Sequence, residues 1–282
     1  MAKKSRRDFL ALAGVGALAG FLYDGAMPRE KITRESHSSP VAFTLGIASY
    51  SFRAFPLDQA IAMTKRLGIK KLALKDVHMP LTSSEDEIRR TVDMMKAEGI
   101  ELSSCGVVYM TNEGEVNNAF RYAKAAGLSV MVGCPSESLL KLVERMVKQT
   151  GIALAIHNHG PTDNRYPSPE SAYRLIEGMD NRMGLCIDVG HTRRLGLDPA
   201  HEVERFADRL LDVHMKDVSS ADAGGKEVEI GRGVIDIPEL LSTLARVKYS
   251  NTIHFEYEKD EKDPLPGLAE SVGYVRGIIA TM

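Results

Sequence analysis

Six of the eight histidines in this 282-residue chain stand at the ends of short apolar runs, most with a carboxylate alongside. The strings are Lys75-Asp76-Val77-His78, His157-Asn158-His159, Asp188-Val189-Gly190-His191, His214-Met215-Lys216-Asp217 and His254-Phe255-Glu256; only His37 and His201 lie elsewhere. On a strand, successive side chains point to opposite faces. Ile156, Ile187, Val213, Met215, Ile253 and Phe255 suit a buried outer face, which turns His157, Asp188, His214, Lys216, His254 and Glu256 the other way. Four consecutive runs then present His157, Asp188, His214 and Glu256 to one interior. Two neutral imidazoles with two carboxylates suit a single divalent ion of the Mn, Co, Fe or Zn type. Its open positions could take two oxygens of a sugar. The plainer alternative is a set of hydrogen-bonded interior polar residues. Buried ionised groups cost several kcal/mol unless paired or metal-bound, and four around one opening favour the ion. His254 falls one layer lower, where Asp212 could hydrogen-bond it, and reads as structural.

Elements that place these residues together follow from the pattern. Strands are predicted at Thr44–Ser49, Lys71–Leu74, Leu102–Val107, Val130–Val132, Ile152–Ile156, Met183–Asp188, Leu211–Met215 and Thr252–Phe255. Between them, apolar residues recur at helical spacing over Leu57–Leu67, Glu85–Glu98, Val116–Ala126, Ser136–Gln149, Pro169–Gly178, Pro199–Leu211, Pro238–Val247 and Gly267–Ile279. Ser83-Ser84-Glu85-Asp86 and Ser168-Pro169-Glu170 read as helix starts, and Gly68, Gly99, Gly127 and Gly151 as helix exits. Strand and helix in alternation imply an α/β fold with a parallel sheet, and eight units in about 240 residues are the size of a closed (β/α)8 TIM barrel. A doubly wound open sheet is the runner-up, but no G-x-G-x-x-G follows the first strand. The long connection from Asp217 to about Asp236 is of a length that is usually functional.

The chain begins differently. Ser5-Arg6-Arg7-Asp8-Phe9-Leu10 opens a 14-residue apolar run, Phe9 to Leu22, shorter than the roughly 20 residues of a spanning helix. A basic segment before a short Gly/Ala-rich run is a signal-peptide pattern, and the arginine pair resembles a bacterial twin-arginine signal. A buried helix or an uncleaved membrane anchor is the alternative. The expected organisation is a signal at 1–25, a linker at 26–40 and a barrel at 41–282, with the protein exported to the periplasm. The formal charge is −2, and the signal contributes +2, which leaves −4 on the remainder. There is no basic excess for a nucleic-acid backbone. A composition of 44% apolar and 26% charged residues excludes a disordered or polytopic membrane chain. Cys105, Cys134 and Cys186 form no C-x-x-C and signal neither a disulfide framework nor a cysteine zinc site.

The strand ends resemble those of the xylose isomerase-like TIM barrels, a family of sugar isomerases and epimerases that also contains endonuclease IV. The resemblance spans about residues 42 to 280. Its specific pieces are G-L-C-I-D-V-G-H at 184–191, V-H-M-K-D at 213–217, G-R-G-V-I-D at 231–236 and the last-strand Glu256. It implies metal ligation by Asp188, His214 and Glu256, and substrate contact by His191. The Ser49-Tyr50-Ser51-Phe52 turn looks like the family's first substrate-side loop. The chain departs from the family at the fifth predicted strand, where ketose epimerases usually carry a metal-binding glutamate and this sequence has His157. A two-glutamate proton swap is therefore doubtful. The nuclease is disfavoured because the fourth strand ends Val132-Gly133-Cys134-Pro135, with no glutamate.

The expected function is a divalent-metal-dependent sugar isomerase or epimerase working through an enediolate. Glu256 or His159 would be the base, and Lys216, His159 or His78 the acid. His78, His191, Lys216, Arg232 and Tyr50 would bind substrate, with Arg232 on the long loop closing over it or standing solvated. A metal-dependent lyase or hydrolase-like enzyme on keto-sugar glycosides, or a non-catalytic sugar-binding barrel, are the alternatives. Expected partners are a small sugar or glycoside, no nucleic acid, a membrane only through an uncleaved signal, and a second copy in a homodimer.

Overall fold

The protein is described by a computed structural model covering residues 41–282. The predicted export signal and linker lie outside the described residues. The strands are β1 (Thr44–Ala48), β2 (Lys71–Leu74), β3 (Glu101–Cys105), β4 (Val108–Met110), β5 (Val130–Pro135), β6 (Ala153–His157), β7 (Met183–Asp188), β8 (Leu210–Met215), β9 (Asp217–Val218), β10 (Glu227–Val228) and β11 (Thr252–Phe255). Nine of them form one parallel sheet in the order β3-β2-β1-β11-β8-β7-β6-β5-β4, a nearly closed TIM barrel. β9 and β10 form a separate antiparallel pair.

The sequence predicts one third strand, Leu102–Val107, but the structure splits that stave. β3 pairs with β2, and β4 pairs with β5, so the chain itself carries the ring across the break. Gly106 sits at the break with φ +139°, and a Cβ there would collide with the carbonyl oxygen of Val132. Only glycine takes this backbone without strain.

The helices are α1 (Leu57–Arg66), α2 (Glu85–Ala97), α3 (Glu113–Ala125), α4 (Leu140–Thr150), α5 (Pro169–Ile176), α6 (Val189–Arg193), α7 (Pro199–Arg205), α8 (Ile237–Arg246) and α9 (Leu265–Ile279). The Ser84 hydroxyl accepts the Glu87 N–H while the Glu87 carboxylate accepts the Ser84 N–H, a reciprocal cap that fixes the start of α2. The four predicted exit glycines all lie at positive φ. The helix predicted over Pro199–Leu211 is shorter: α7 stops at Arg205, and Leu210 and Leu211 belong to β8. Arg209 enforces the stop, because its buried guanidinium donates to the carbonyls of Ile176, Glu177, Met179, Asp180 and Met183.

Alternation along the strands holds as expected. Ile156, Ile187, Val213, Met215, Ile253 and Phe255 are at most 1% exposed. They pack with the covering helices, among them the Ile237, Leu240, Leu241 and Leu244 face of α8, and each contributes about 1.5–3 kcal/mol by burial. In the lower interior, His254 Nδ1 lies 2.8 Å from Asp212 Oδ1 and Nε2 lies 2.7 Å from Ser103 Oγ. Asp212 serves as the expected partner of His254.

The long connection after β8 is ordered by one carboxylate. Asp217 Oδ1 accepts the N–H of Val218 (2.9 Å) and Ile235 (3.2 Å). Its Oδ2 accepts those of Gly231 (2.9 Å) and Gly233 (3.0 Å). V-H-M-K-D and G-R-G-V-I-D, 14 residues apart at Asp217 and Gly231, are thus one structural unit.

Candidate active site

β6, β7, β8 and β11 end on the same side of the ring and turn His157, Asp188, His214 and Glu256 inward. One donor atom from each lies within 4.8 Å of the others. His214 Nδ1 is 3.2 Å from His157 Nε2 and 3.2 Å from Glu256 Oε2, and His157 Nε2 is 3.5 Å from Asp188 Oδ2. All four are buried, Glu256 the least at 8% exposed.

Asp188 is the N-cap of α6: its Oδ1 accepts the His191 N–H at 2.7 Å. Its Oδ2 is buried without a hydrogen bond, as is Nδ1 of His157. Asn158 steadies this strand end, accepting the Asp188 N–H at 3.0 Å and donating to Thr192 Oγ1 at 3.2 Å.

Lys216 projects from the end of β8 into the same space. Its Nζ is 2.9 Å from Glu256 Oε2 and 3.5 Å from Asp188 Oδ2, and it also contacts Glu258. Gly190 in α6 permits this, since a Cβ there would sit 2.9 Å from Lys216 Cβ. Burial opposes the ammonium, but the carboxylates of Asp188, Glu256 and Glu258 outweigh it and raise Lys216 well above its ordinary value. Burial likewise opposes ionisation of Glu256, yet Lys216 and His214 hold that carboxyl well below the usual range. Burial pushes His157 down to about 3, so its imidazole is neutral and free to donate a lone pair. His214 runs the other way: burial lowers it, but Cys186 and Glu256 raise it well above its ordinary value.

The donor set fits a divalent cation. Neighbouring donors 3.2–3.5 Å apart have the spacing of tetrahedral vertices around an ion with bonds of about 2.1 Å. Buried Asp188 Oδ2, which has no hydrogen bond and only the Lys216 ammonium at 3.5 Å to offset its charge, is the kind of atom that otherwise carries a desolvation cost.

Other predicted residues fall in different places. His191 is at the mouth, its ring centroid 6.0 Å from that of His157, with Nδ1 buried and unpaired. His159 lies beside the cluster, 4.5 Å from His157 between ring centroids, but Tyr109 Oη meets its Nε2 at 2.9 Å. Tyr50 is half-buried on the turn after β1, with the Arg53 guanidinium 4.9 Å over its ring. Two more predicted residues have partners of their own. In His78, Nδ1 meets Ser49 Oγ at 2.9 Å and Nε2 meets the Phe55 carbonyl at 3.1 Å, so it braces two loops. Arg232 faces solvent, paired through Nε and Nη2 with the carboxylate of Glu270 on α9 at 2.5 and 2.7 Å.

Sequence reasoning missed Glu258, which shares the parity of Glu256 two residues on and could have been found from it. It also missed Glu227 on β10, whose Oε1 accepts the Glu258 N–H at 2.8 Å. No local signal marks Glu227, because the β9–β10 hairpin delivers it.

A parallel barrel with inward imidazoles and carboxylates at its strand ends defines a class of proteins, and the chain belongs to it: residues 47–278 match the model of the xylose isomerase-like TIM barrel family. Among characterised relatives, it is 32% identical over 151 residues to the rhizopine catabolism protein MocC of Rhizobium meliloti, covering 48% of this chain and 46% of that one. It is 29% identical over 159 residues to inosose dehydratase of Geobacillus kaustophilus (strain HTA426), covering 50% and 49%. The chain thus spans about half the length of the curated relatives it matches. The fold is shared with L-ribulose 3-epimerase (TM-score 0.69, 15% identity, 85% of this chain and 95% of that one). It is also shared with the IolI protein solved with a zinc atom (TM-score 0.67, 14% identity, 85% and 97%). Proteins that share its fold or part of its sequence thus include an epimerase and a dehydratase.

Proposed function

We propose that the protein is a divalent-metal-dependent enzyme that enolises a polyhydroxylated ketone and expels water from it, a lyase of the keto-inositol or keto-sugar type. The observation that carries this reading is the Glu256–Lys216 pair, 2.9 Å apart at a four-donor cluster in which β6 supplies an imidazole rather than a second carboxylate. Epimerisation by two opposed carboxylates lacks its second member here. A syn elimination needs one base and one acid on the same side of the substrate, and the pair offers both.

A divalent ion held by His157, Asp188, His214 and Glu256 would supply Lewis-acid polarisation of the substrate carbonyl. Glu256 Oε2 is committed to His214 and Lys216, while Oε1 makes no hydrogen bond among the described residues, and Oε1 is the atom that takes the proton α to the carbonyl. Lys216, firmly charged, gives a proton from Nζ to the departing β-hydroxyl, so that the C–O bond breaks as the C=C bond forms and water leaves. Neutral His191 hydrogen-bonds a substrate hydroxyl at the mouth, and burial keeps its imidazole below the ordinary value. Tyr50 offers its hydroxyl from the β1 turn. The isomerase or epimerase reading begins with the same proton removal and differs only in returning that proton to carbon.

The relatives support the substrate class: the chain resembles inosose dehydratase in sequence, and a zinc-bearing protein shares its fold. Export by the segment at 1–25 would place the reaction outside the cytoplasm, which fractionation of the full chain tests. The function is tested by incubating the full chain with Mn²⁺, Co²⁺ or Zn²⁺ and a panel of keto-inositols and ketoses in deuterated water. Deuterium loss or gain at the α-carbon together with a new enone absorbance, both abolished by chelator, is the expected result. Exchange with return to carbon and no enone would replace the lyase with an epimerase. No exchange in any ketone would overturn both.

A further inference from the structure

Beside the first cluster lies a second set of donors. Cys134 at the end of β5, His159 just past β6 and Asp163 in the following loop offer a thiol, an imidazole nitrogen and a carboxylate oxygen, all within 4.8 Å of one another. Nothing in the reaction proposed above uses Cys134 or Asp163.

The three are held in a built frame. Asp163 Oδ1 accepts the N–H of Arg165 (2.6 Å) and Tyr166 (3.1 Å), which leaves Oδ2 turned to His159, 3.1 Å from Nδ1. That approach is off the line of a hydrogen bond, and Nδ1 remains a buried nitrogen with no hydrogen-bond partner. The opposite nitrogen is fixed by Tyr109 Oη, the arrangement that orients metal-binding imidazoles in general. Cys134 is 2% exposed. Its strand end is tied to the same loop by Tyr166 Oη on the Pro135 carbonyl (2.8 Å) and by Arg165 Nη1 on the Cys134 carbonyl (3.2 Å). The Arg165 guanidinium also stands beside the Cys134 side chain, where its charge favours the thiolate against the burial that pushes the thiol up to about 11.

We infer that Cys134, His159 and Asp163 form a second cation site, separate from the four-donor cluster, for a zinc-type ion. Mixed sulfur, nitrogen and oxygen ligation selects zinc and cobalt over magnesium or calcium. Three protein ligands leave at least one position for water or substrate, the usual form of a reactive rather than a sealed site. The adjoining cleft, about 950 Å³, is lined by Thr111, Ser136, Glu137 and Asn164 as well as by Cys134 and Asp163, polar groups suited to a hydroxylated ligand. With the His157 and His159 rings 4.5 Å apart between centroids, the two ions share one wall.

Cobalt binding tests this directly. The full chain is stripped with chelator, its fold is checked by circular dichroism, and it is reloaded with Co²⁺. The expected result is two equivalents per chain and a thiolate-to-cobalt charge-transfer band in the near ultraviolet, a feature the four-donor cluster cannot give through its own nitrogens and oxygens. Cys134→Ser should lose the band and one equivalent. His214→Ala should lose the other equivalent and keep the band. Asp163→Asn should keep the band at saturation but weaken cobalt binding about tenfold or more. Cys186 lies close to His157 and His214. A band that disappears in Cys186→Ala and survives in Cys134→Ser would therefore assign the thiolate to the first cluster and overturn the inference. One equivalent without a band would overturn it as well. Should Cys134→Ser fail to fold, the Asp163→Asn affinity decides: unchanged binding rejects the site.

Discussion

The Asp188 carboxylate holds the His191 backbone N–H with Oδ1 at 2.7 Å while Oδ2, without a hydrogen bond, faces the inward donors and the Lys216 ammonium 3.5 Å away. One side chain thus both starts the helix that carries His191 and contributes to the cluster. The distance between the Asp188 carboxylate and the His191 imidazole is set by a single helical turn.

Removing His214 tests the cluster as a metal site. His214→Ala deletes the donor that sits 3.2 Å from two others. Metal affinity and turnover should fall together, each by at least about a hundredfold. Metal analysis after gel filtration, alongside an elimination assay, measures both; turnover that survives with metal lost would remove His214 from the mechanism.

Glu256→Gln separates ligation from proton transfer. An amide oxygen can remain near the cation, but it cannot take a proton. Turnover and solvent deuterium exchange should drop by about 10²–10⁴-fold, with part of the metal retained. Wild-type exchange in this variant would move the base elsewhere.

Lys216→Met leaves Asp188 and Glu256 buried without their ammonium. Breaking such a pair costs about 3–5 kcal/mol. In chelator the melting temperature should fall clearly, and added divalent ion should restore more of it than it adds to the wild type. An unchanged melting temperature in chelator would mean the lysine does not neutralise the cluster.

Glu227 makes stability depend on pH. Burial pushes its carboxyl up from 4.5 to about 8, against the pull of Lys216. The folded protein then keeps a proton that the unfolded chain has released. This contribution is fully present below pH 4.5 and is lost as pH rises through about 8. Denaturant unfolding at a series of pH values should show stability declining across that window, and Glu227→Gln should flatten the decline while keeping its oxygen for the Glu258 N–H. A slope that persists in the variant would assign it to another group.

Asp217→Ala strips four backbone N–H groups of their acceptor. Each buried donor left unpaired costs about 1–3 kcal/mol. The segment from 219 to 235 should become the first site of limited proteolysis, with the barrel strands still protected from hydrogen exchange. Wild-type resistance there would show that the loop is held by its side-chain packing instead.

The four inward donors were legible because parallel barrel strands bury their outer face completely. Apolar residues such as Ile187 and Ile253 fix the parity, and the polar neighbour has one direction left. The same reasoning has no purchase past the strand ends. His78 and Arg232 carry suitable chemistry in suitable stretches, yet Ser49 and Phe55 capture one and Glu270 the other. Direction in a loop is set by partners remote in sequence. The break at Gly106 was invisible for a related reason: the collision that demands glycine is with Val132 on another strand. Tyr109, whose hydroxyl fixes His159, reaches the site only because β4 begins anew after that break.

Ser103, His254 and Asp212 also act as a stopper. Their hydrogen-bonded chain crosses the bore below the donors, with His254 and Asp212 each 1% exposed and the imidazole edge crowding Gly46. Among the described residues the buried His254–Asp212 pair fills the interior beneath the donors, so a reactant meets the cluster from the strand ends where His191 stands.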